Sequence, residues 1–212
     1  METHQDVRIL ELEAALARKD ALLREVDHRV KNNLQLISSL MLLQSRRMDD
    51  EVARQALKTM LERVNAVATV HRRLFQGEDS QRFDVAAFIR DMAGDLALAA
   101  GRDDVGIILD LEPLTIPASM AAPFALVLNE LLGNALKHAF PGQGGAIAIK
   151  LSKSDDACVL TVSDNGCGMG DAQQAFGLMI VNLLCRQLRS GLEITPGAPG
   201  LRATVRTPLS PD

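Results

Sequence analysis

The first 47 residues contain neither glycine nor proline, and an apolar ladder climbs through them in steps of three and four: Ile9, Leu12, Leu16, Lys19, Leu23, Val26, Val30, Asn33, Ile37, Leu40. That spacing is a heptad seam with two polar interruptions. Ala, Leu, Glu, Arg and Lys dominate its first half, all good helix formers. Residues 1–47 are therefore predicted to form one long helix. MDDEV (48–52) is a polar break whose acids suit a helix start. A second helix is predicted to about Gln76, with the ladder Leu57, Met60, Val64, Val67, His71, Leu74. Two such helices joined by a short turn make a helical hairpin, which alone leaves much apolar surface bare. Two hairpins from two chains would close a four-helix bundle, so a homodimer is expected.

The pattern changes after QGEDSQ (76–81), a polar, glycine-containing boundary. The reading is a helical domain over 1–78 and a second domain over 79–212. In the second, Asp84 can cap a helix to about Ala100, and VGIILDLE (105–112) has the look of a strand. Pro117 and Ser119 open a helix to about Phe140, stopped by Pro141-Gly142. Residues 145–166 read as a β-hairpin with Ser154-Asp155-Asp156 in the turn. A helix over Phe176–Leu188 and a last strand pair near Leu192–Thr195 and Arg202–Thr207 complete it. Strands mixed with a few helices on one face give an α/β sandwich.

Composition narrows the function. The net charge of −4 offers no support for a nucleic-acid partner. No apolar run reaches the roughly 18 residues of a membrane span, and the acid-containing start is no secretory signal. Cys158, Cys167 and Cys185 are odd in number and lack metal-type spacing, which reads as reduced thiols of a cytoplasmic protein.

Three stretches carry chemistry. His28 lies two residues past the seam position Val26, so it projects towards solvent, open to a phosphoryl donor and then an acceptor. Asp27 beside it could orient the imidazole or take its proton. His71 falls on the second helix's seam, where packing or a structural contact is the plainer role. In LNELLGNALKHAF (128–140), Glu130, Asn134 and His138 are spaced i, i+4, i+8 on one face, with Lys137 beside them. An acid, an amide, a cation and an imidazole suit Mg²⁺ and phosphates, although a solvated polar face has the same pattern. SDNGCGMG (163–170) puts an acid at a strand end before a glycine-rich loop, which lets backbone approach a base or a phosphate; many ordinary turns share that pattern.

REVDHRVKNNLQ closely resembles the phosphoacceptor box of the HWE-related sensor histidine kinases, the second type of their dimerisation region. NELLGNALKHAF resembles the asparagine box of the ATP-binding domain shared by histidine kinases, gyrase-type ATPases, Hsp90 and MutL, and DNGCGM resembles its first glycine box. FGLMIVNLLCRQL (176–188) resembles the second glycine box and the helix after it, with Gly177 and Leu178 at its start. The resemblance extends from about Leu16 over nearly the whole chain. It implies that His28 is phosphorylated, that Asn134 ligates Mg²⁺ with Glu130 beside it, and that Lys137 and His138 lie near the phosphates or the lid. It also implies that Asp164 reads the adenine amino group while Gly166 and Gly168 shape the loop. Four departures stand out: Ala175-Phe176-Gly177 for Gly-Leu-Gly, a short lid segment GDAQQA (170–175), Gly200-Leu201 for Gly-Thr, and no Trp anywhere.

The expected protein is a dimeric histidine kinase core. It would take ATP and Mg²⁺, pass a phosphoryl group to the receiver domain of a response regulator, and be set by an upstream sensor protein acting through residues 1–24. Two other classes compete: a histidine phosphotransferase whose ATP site has decayed, and a non-enzymatic module that binds a regulator. Loss of nucleotide binding would mark the first, and regulator binding indifferent to His28→Ala the second.

Overall fold

The computed structural model describes residues 2–76, 81–168 and 173–209, in two compact units, Met1–Phe75 and Gln76–Asp212. The segments 77–80, part of the expected boundary, and 169–172, part of the expected lid, lie outside the described residues.

The first unit is the expected hairpin. Helix α1 spans Glu2–Arg46 and α2 spans Glu51–Gln76. The carboxylate of Asp50 caps α2 by accepting the N–H of Val52 at 2.9 Å. The helices run back along each other, because Ser38 Oγ donates to Asn65 Oδ1 at 3.2 Å and Asp27 Oδ1 lies 3.3 Å from His71 Nδ1. Those contacts show which stripe of α1 meets α2. The less exposed stripe of α1 on this side is Asp27, Val30, Leu34, Ser38, Met41 and Ser45. The ladder residues Val26, Ile37 and Leu40 are instead 51%, 41% and 56% exposed. Only Val30 belongs to both sets. A 45-residue helix has two apolar stripes to offer, and spacing does not say which of them α2 takes.

The second unit is built on a five-stranded sheet in the order β2-β4-β5-β7-β6, with β2 (Val105–Leu111), β4 (Gly145–Ser154), β5 (Ala157–Asp164), β6 (Gly191–Pro196) and β7 (Leu201–Pro208). β2 pairs parallel with β4, and the other pairings are antiparallel. Its buried face reads across the strands in register. One row is Ile149, Val162, Ala203 and Ile194; the next is Leu151, Leu160, Val205 and Leu192. Of the alternate residues, Lys150, Arg202 and Arg206 are exposed, and Ala148, Thr161 and Thr204 are part-exposed, so the apolar rows lie on one face.

Helices α3 (Val85–Ala100), α4 (Ala118–His138) and α5 (Gln173–Gln187) pack on that unit. Asp84 caps α3 as expected, accepting the N–H of Ala87 at 2.9 Å, and Gly101 closes it in the left-handed region at φ 61°. Ser119 does not cap α4, whose N-cap position is Pro117. A small antiparallel pair, β1 (Arg82–Asp84) and β3 (Thr115–Pro117), was not foreseen. α4 is long and apolar enough to cross a bilayer, yet it is the core helix here: Phe124, Ala125, Val127, Leu128 and Leu132 have no exposure.

Burial sets the thiols apart. The Cys158 thiol is pushed up to about 12 and that of Cys185 is raised, in both cases by burial, whereas Cys167 is exposed. Alkylation of the native protein is expected to label Cys167 and to spare the other two until denaturant is added. Peptide mapping after iodoacetamide treatment reads this directly.

Candidate functional site

α4 and the buried face of the sheet flank a cleft that opens to solvent. Leu131, Ala135 and Ala139 line it from successive turns of α4, with Asn134 between them. Val162 and Asp164 come from β5, Ile194 from β6, Leu201 and Ala203 from β7, and Leu178 from α5, with Gly168 at the loop. The walls are thus apolar and carry one carboxylate and one carboxamide. A carboxylate in such a setting suits a flat ring that presents an N–H to it.

The loop after β5 is held to the end of α4 by its backbone. Asp164 Oδ1 accepts the N–H of Gly166 at 2.9 Å, and Cys167 donates its N–H to the carbonyl of Ala139 at 2.8 Å. Asn165 Oδ1 accepts the N–H of Ala146 at 2.7 Å. A Cβ at Gly166 would fall on the Ala139 carbonyl, so no side chain fits there. Gly200 turns the chain from β6 to β7 at φ 96°, and a Cβ on it would fall on the carbonyl of Asp164. Gly177 gives α5 its approach to α4: a Cβ there would sit 2.9 Å from Asn134 Nδ2.

The cleft unites Asn134, Asp164, Gly168 and Leu178, while Gly166, Cys167 and Gly168 line an adjoining hollow with Pro199 and Gly200. Glu130, Lys137 and His138 are not among the lining residues. Glu130 is only 5% exposed, Lys137 is exposed and His138 is half-buried. The reason is helical geometry: each i to i+4 step leaves about 40° of rotation, so Glu130 and His138 diverge by about 80°. The apolar walls Val162, Ala203 and Ile194 were missed; their alternation along neighbouring strands was the available signal. Gly200 as the support of Asp164 was also missed.

Arg102 fixes the end of α4. Its guanidinium pairs with Asp104 through Nε at 2.8 Å and Nη2 at 2.9 Å, and also donates to the carbonyls of Phe140 at 3.0 Å and Gln143 at 2.9 Å. The Asp104 partner raises the Arg102 pKa and Arg102 lowers that of Asp104.

Burial, with the Lys137 charge adding to it, lowers the pKa of His138. The unfolded chain then takes up this proton at higher pH than the folded one. Stability present above the ordinary histidine value of about 6.5 is lost as pH falls through the depressed folded value and is level below it. The melting temperature is expected to drop across that window on acidification, and His138→Gln to remove this part of the slope.

In the first unit His28 is exposed on α1, and the carboxylate of Asp27 is directed at His71 on α2. Next in sequence on a helix, Asp27 and His28 point about 100° apart. His71 is held besides by Phe75, with ring centroids 4.6 Å apart.

Comparison with known proteins agrees with this architecture. Residues 25–100 match a family model described as histidine kinase. Residues 121–211 match one described as histidine kinase-, DNA gyrase B-, and HSP90-like ATPase. The chain is 35% identical over 179 residues to the sensor histidine kinase PdtaS of Mycolicibacterium smegmatis, covering 80% of this chain and 36% of that protein. It is 27% identical over 202 residues to blue-light-activated histidine kinase 2 of Erythrobacter litoralis, covering 90% and 58%. The chain thus spans between about a third and three-fifths of these relatives. The solved histidine kinase domain of an Erythrobacter litoralis blue-light-activated histidine kinase shares the fold, with a TM-score of 0.65 at 20% identity, over 82% of this chain and 96% of that one. With a helical hairpin that carries an exposed His28, an α/β ATPase unit and these matches, the chain belongs to the histidine kinase family, in its HWE-related subgroup.

Proposed function

We propose that this chain is the phosphotransfer core of a two-component system, using ATP to phosphorylate itself on His28 and passing the phosphoryl group to an Asp of a response regulator receiver domain. One observation carries the reading: an apolar cleft with a single carboxylate, Asp164, lies beside Asn134 in a chain that also displays His28 on an exposed helix face. The donor set fits a purine nucleotide. Asp164 keeps one oxygen on the Gly166 N–H and has a second for a base amino group, while Leu131, Leu178, Ile194 and Leu201 cover the ring faces.

Mg²⁺ takes one or two protein oxygens and leaves the rest to phosphates and water, which suits the lone Asn134 carboxamide at the cleft. When bound, it supplies charge neutralisation at the phosphates. Glu130 is buried outside the lining, so the metal-side oxygen is assigned to Asn134 and Glu130 supports it from within α4. Exposed Lys137, with His138 after it, serves the phosphates from the C-terminal turn of α4. Gly166, Gly168, Gly177 and Leu178 shape the walls. In the transfer, the unprotonated imidazole nitrogen of His28 forms a bond to the γ-phosphorus as the bond to the ADP oxygen breaks; ADP leaves with the bonding electron pair, and the proton on the other ring nitrogen can pass to water. Catalysis is then mostly positioning and charge neutralisation.

The working form is proposed as a homodimer in the cytoplasm. Exposed Leu23, Val26, Ile37 and Leu40 supply the face a second chain would cover, and the three free thiols suit a reducing compartment. An upstream sensor would act through residues 1–24, and residues 1–78 and 79–212 would form the two functional domains.

Incubation with γ-labelled ATP and Mg²⁺ tests the reading. Acid-labile, base-stable label is expected on the native chain and absent from His28→Gln and Asn134→Ala proteins. No label on the native chain, with no shift in melting temperature on adding ATP, would leave the phosphotransferase alternative in its place.

A smaller change probes the helix approach. Gly177→Ala puts a methyl group against the Asn134 carboxamide and displaces it. The Michaelis constant for ATP is expected to rise roughly tenfold, while stability holds or gains up to about 1 kcal/mol from the better helix former. Autophosphorylation rates across ATP concentration and a thermal melt separate the two effects.

A further inference from the structure

Helix α1 offers α2 two apolar faces. One is Val30, Leu34 and Met41, which the structure turns inward; the other is Val26, Ile37 and Leu40, which it leaves exposed. The two are about a quarter-turn apart on the helix. Burial alone discriminates poorly between them, because both are apolar and neither is interrupted by a breaker. The polar contacts do discriminate. Asp27 and His71 meet at 3.3 Å with side chains only 28% and 20% exposed, and Ser38 meets Asn65 three turns further on. A quarter-turn of α1 would break both contacts and leave a half-buried carboxylate without its partner, which is costly. The His71 ring is itself held by Phe75, so the contact has a stiff receiving side.

We infer that His71 is a positioning residue for phosphotransfer: by holding Asp27 it selects the rotation of α1 that presents His28. This rests on the proposed role of His28 as acceptor. Asp27 is the residue next to His28, and α1 is an unbroken helix across both, so the orientation of one sets that of the other. A polar pair inside an apolar helix contact that specifies register is a known use of such residues.

The test has a readout that does not depend on kinase activity. In Asp27→Asn and His71→Phe proteins (the latter keeps a ring against Phe75 but no nitrogen), the rate of carbethoxylation at His28 is measured by mass spectrometry, with labelling by ATP in parallel. The inference expects the His28 modification rate to change severalfold in both. It expects the autophosphorylation rate at saturating ATP to fall roughly tenfold with the Michaelis constant for ATP unchanged, short of the hundredfold that an ångström of misplacement can cost. The exchanged protein, Asp27→His with His71→Asp, is expected to recover most of both. Unchanged His28 reactivity in both single variants, or an exchanged protein no better than the worse of them, would overturn it. If the single variants lose helix content, the exchanged protein alone decides: recovery upholds the pair, and no recovery overturns it. A native chain that takes no label from ATP removes the phosphoacceptor reading, while the reactivity measurement still reports on the register.

Discussion

Gly200→Ala is expected to abolish ATP binding and autophosphorylation together. Two penalties coincide there. The backbone at φ 96° is one that residues with a Cβ rarely adopt, and the added carbon falls on the carbonyl of Asp164. Backbone cannot move aside as a side-chain tip can, so the turn between β6 and β7 has to leave the end of β5. Leu201, which follows directly, lines the cleft with Asp164 and would move with it. Strain of this kind costs about 1–3 kcal/mol, enough to lower the melting temperature without unfolding a typical domain. Titration with ATP followed by calorimetry should show no heat in a protein that still melts cooperatively. An unchanged dissociation constant would mean that the turn does not support Asp164.

Phe124→Ala is the other extreme, a loss of stability with no direct part in chemistry. Phe124 has no exposure and sits on α4, the helix that carries Asn134, among Ala121, Ala125 and Leu128. Truncation leaves a cavity that the surrounding helices and sheet close only in part, for a cost of about 3–5 kcal/mol. Against a typical domain stability of about 5–15 kcal/mol, that is a large share. Urea titration followed by circular dichroism should show a lower midpoint with an unchanged slope. ATP should raise the midpoint of the variant, since it binds the folded form alone.

Much of this architecture was legible in local chemistry. The absence of breakers over residues 1–47 foretold α1, the Asp84 carboxylate marked the start of α3, and Asp155 takes the left-handed turn (φ 51°) between β4 and β5. What local chemistry could not carry was choice between equals. Two stripes of α1 are apolar, and the decision rests on Asp27 and His71, 44 residues apart in the chain. β1 and β3 have three residues each, too short for periodicity to register. The parallel pairing of β2 with β4 joins strands separated by the whole of α4. For the site, the strings around Asn134 and Asp164 were readable, but the depth of Glu130 was not. An i+4 spacing promises a shared face only over a turn or two, and the sheet beneath decides which part of that face sees solvent.

The unequal lengths of the two helices have a thermodynamic consequence. Because His71 stands opposite Asp27, the end of α2 at Gln76 lies opposite about residue 22, and roughly 30 Å of α1 continues beyond it at 1.5 Å per residue. Most helical stability in a protein comes from packing of an apolar face rather than from propensity. A partner that covers the exposed Ile9, Leu12 and Leu16 would therefore stabilise the helicity of this segment by mass action.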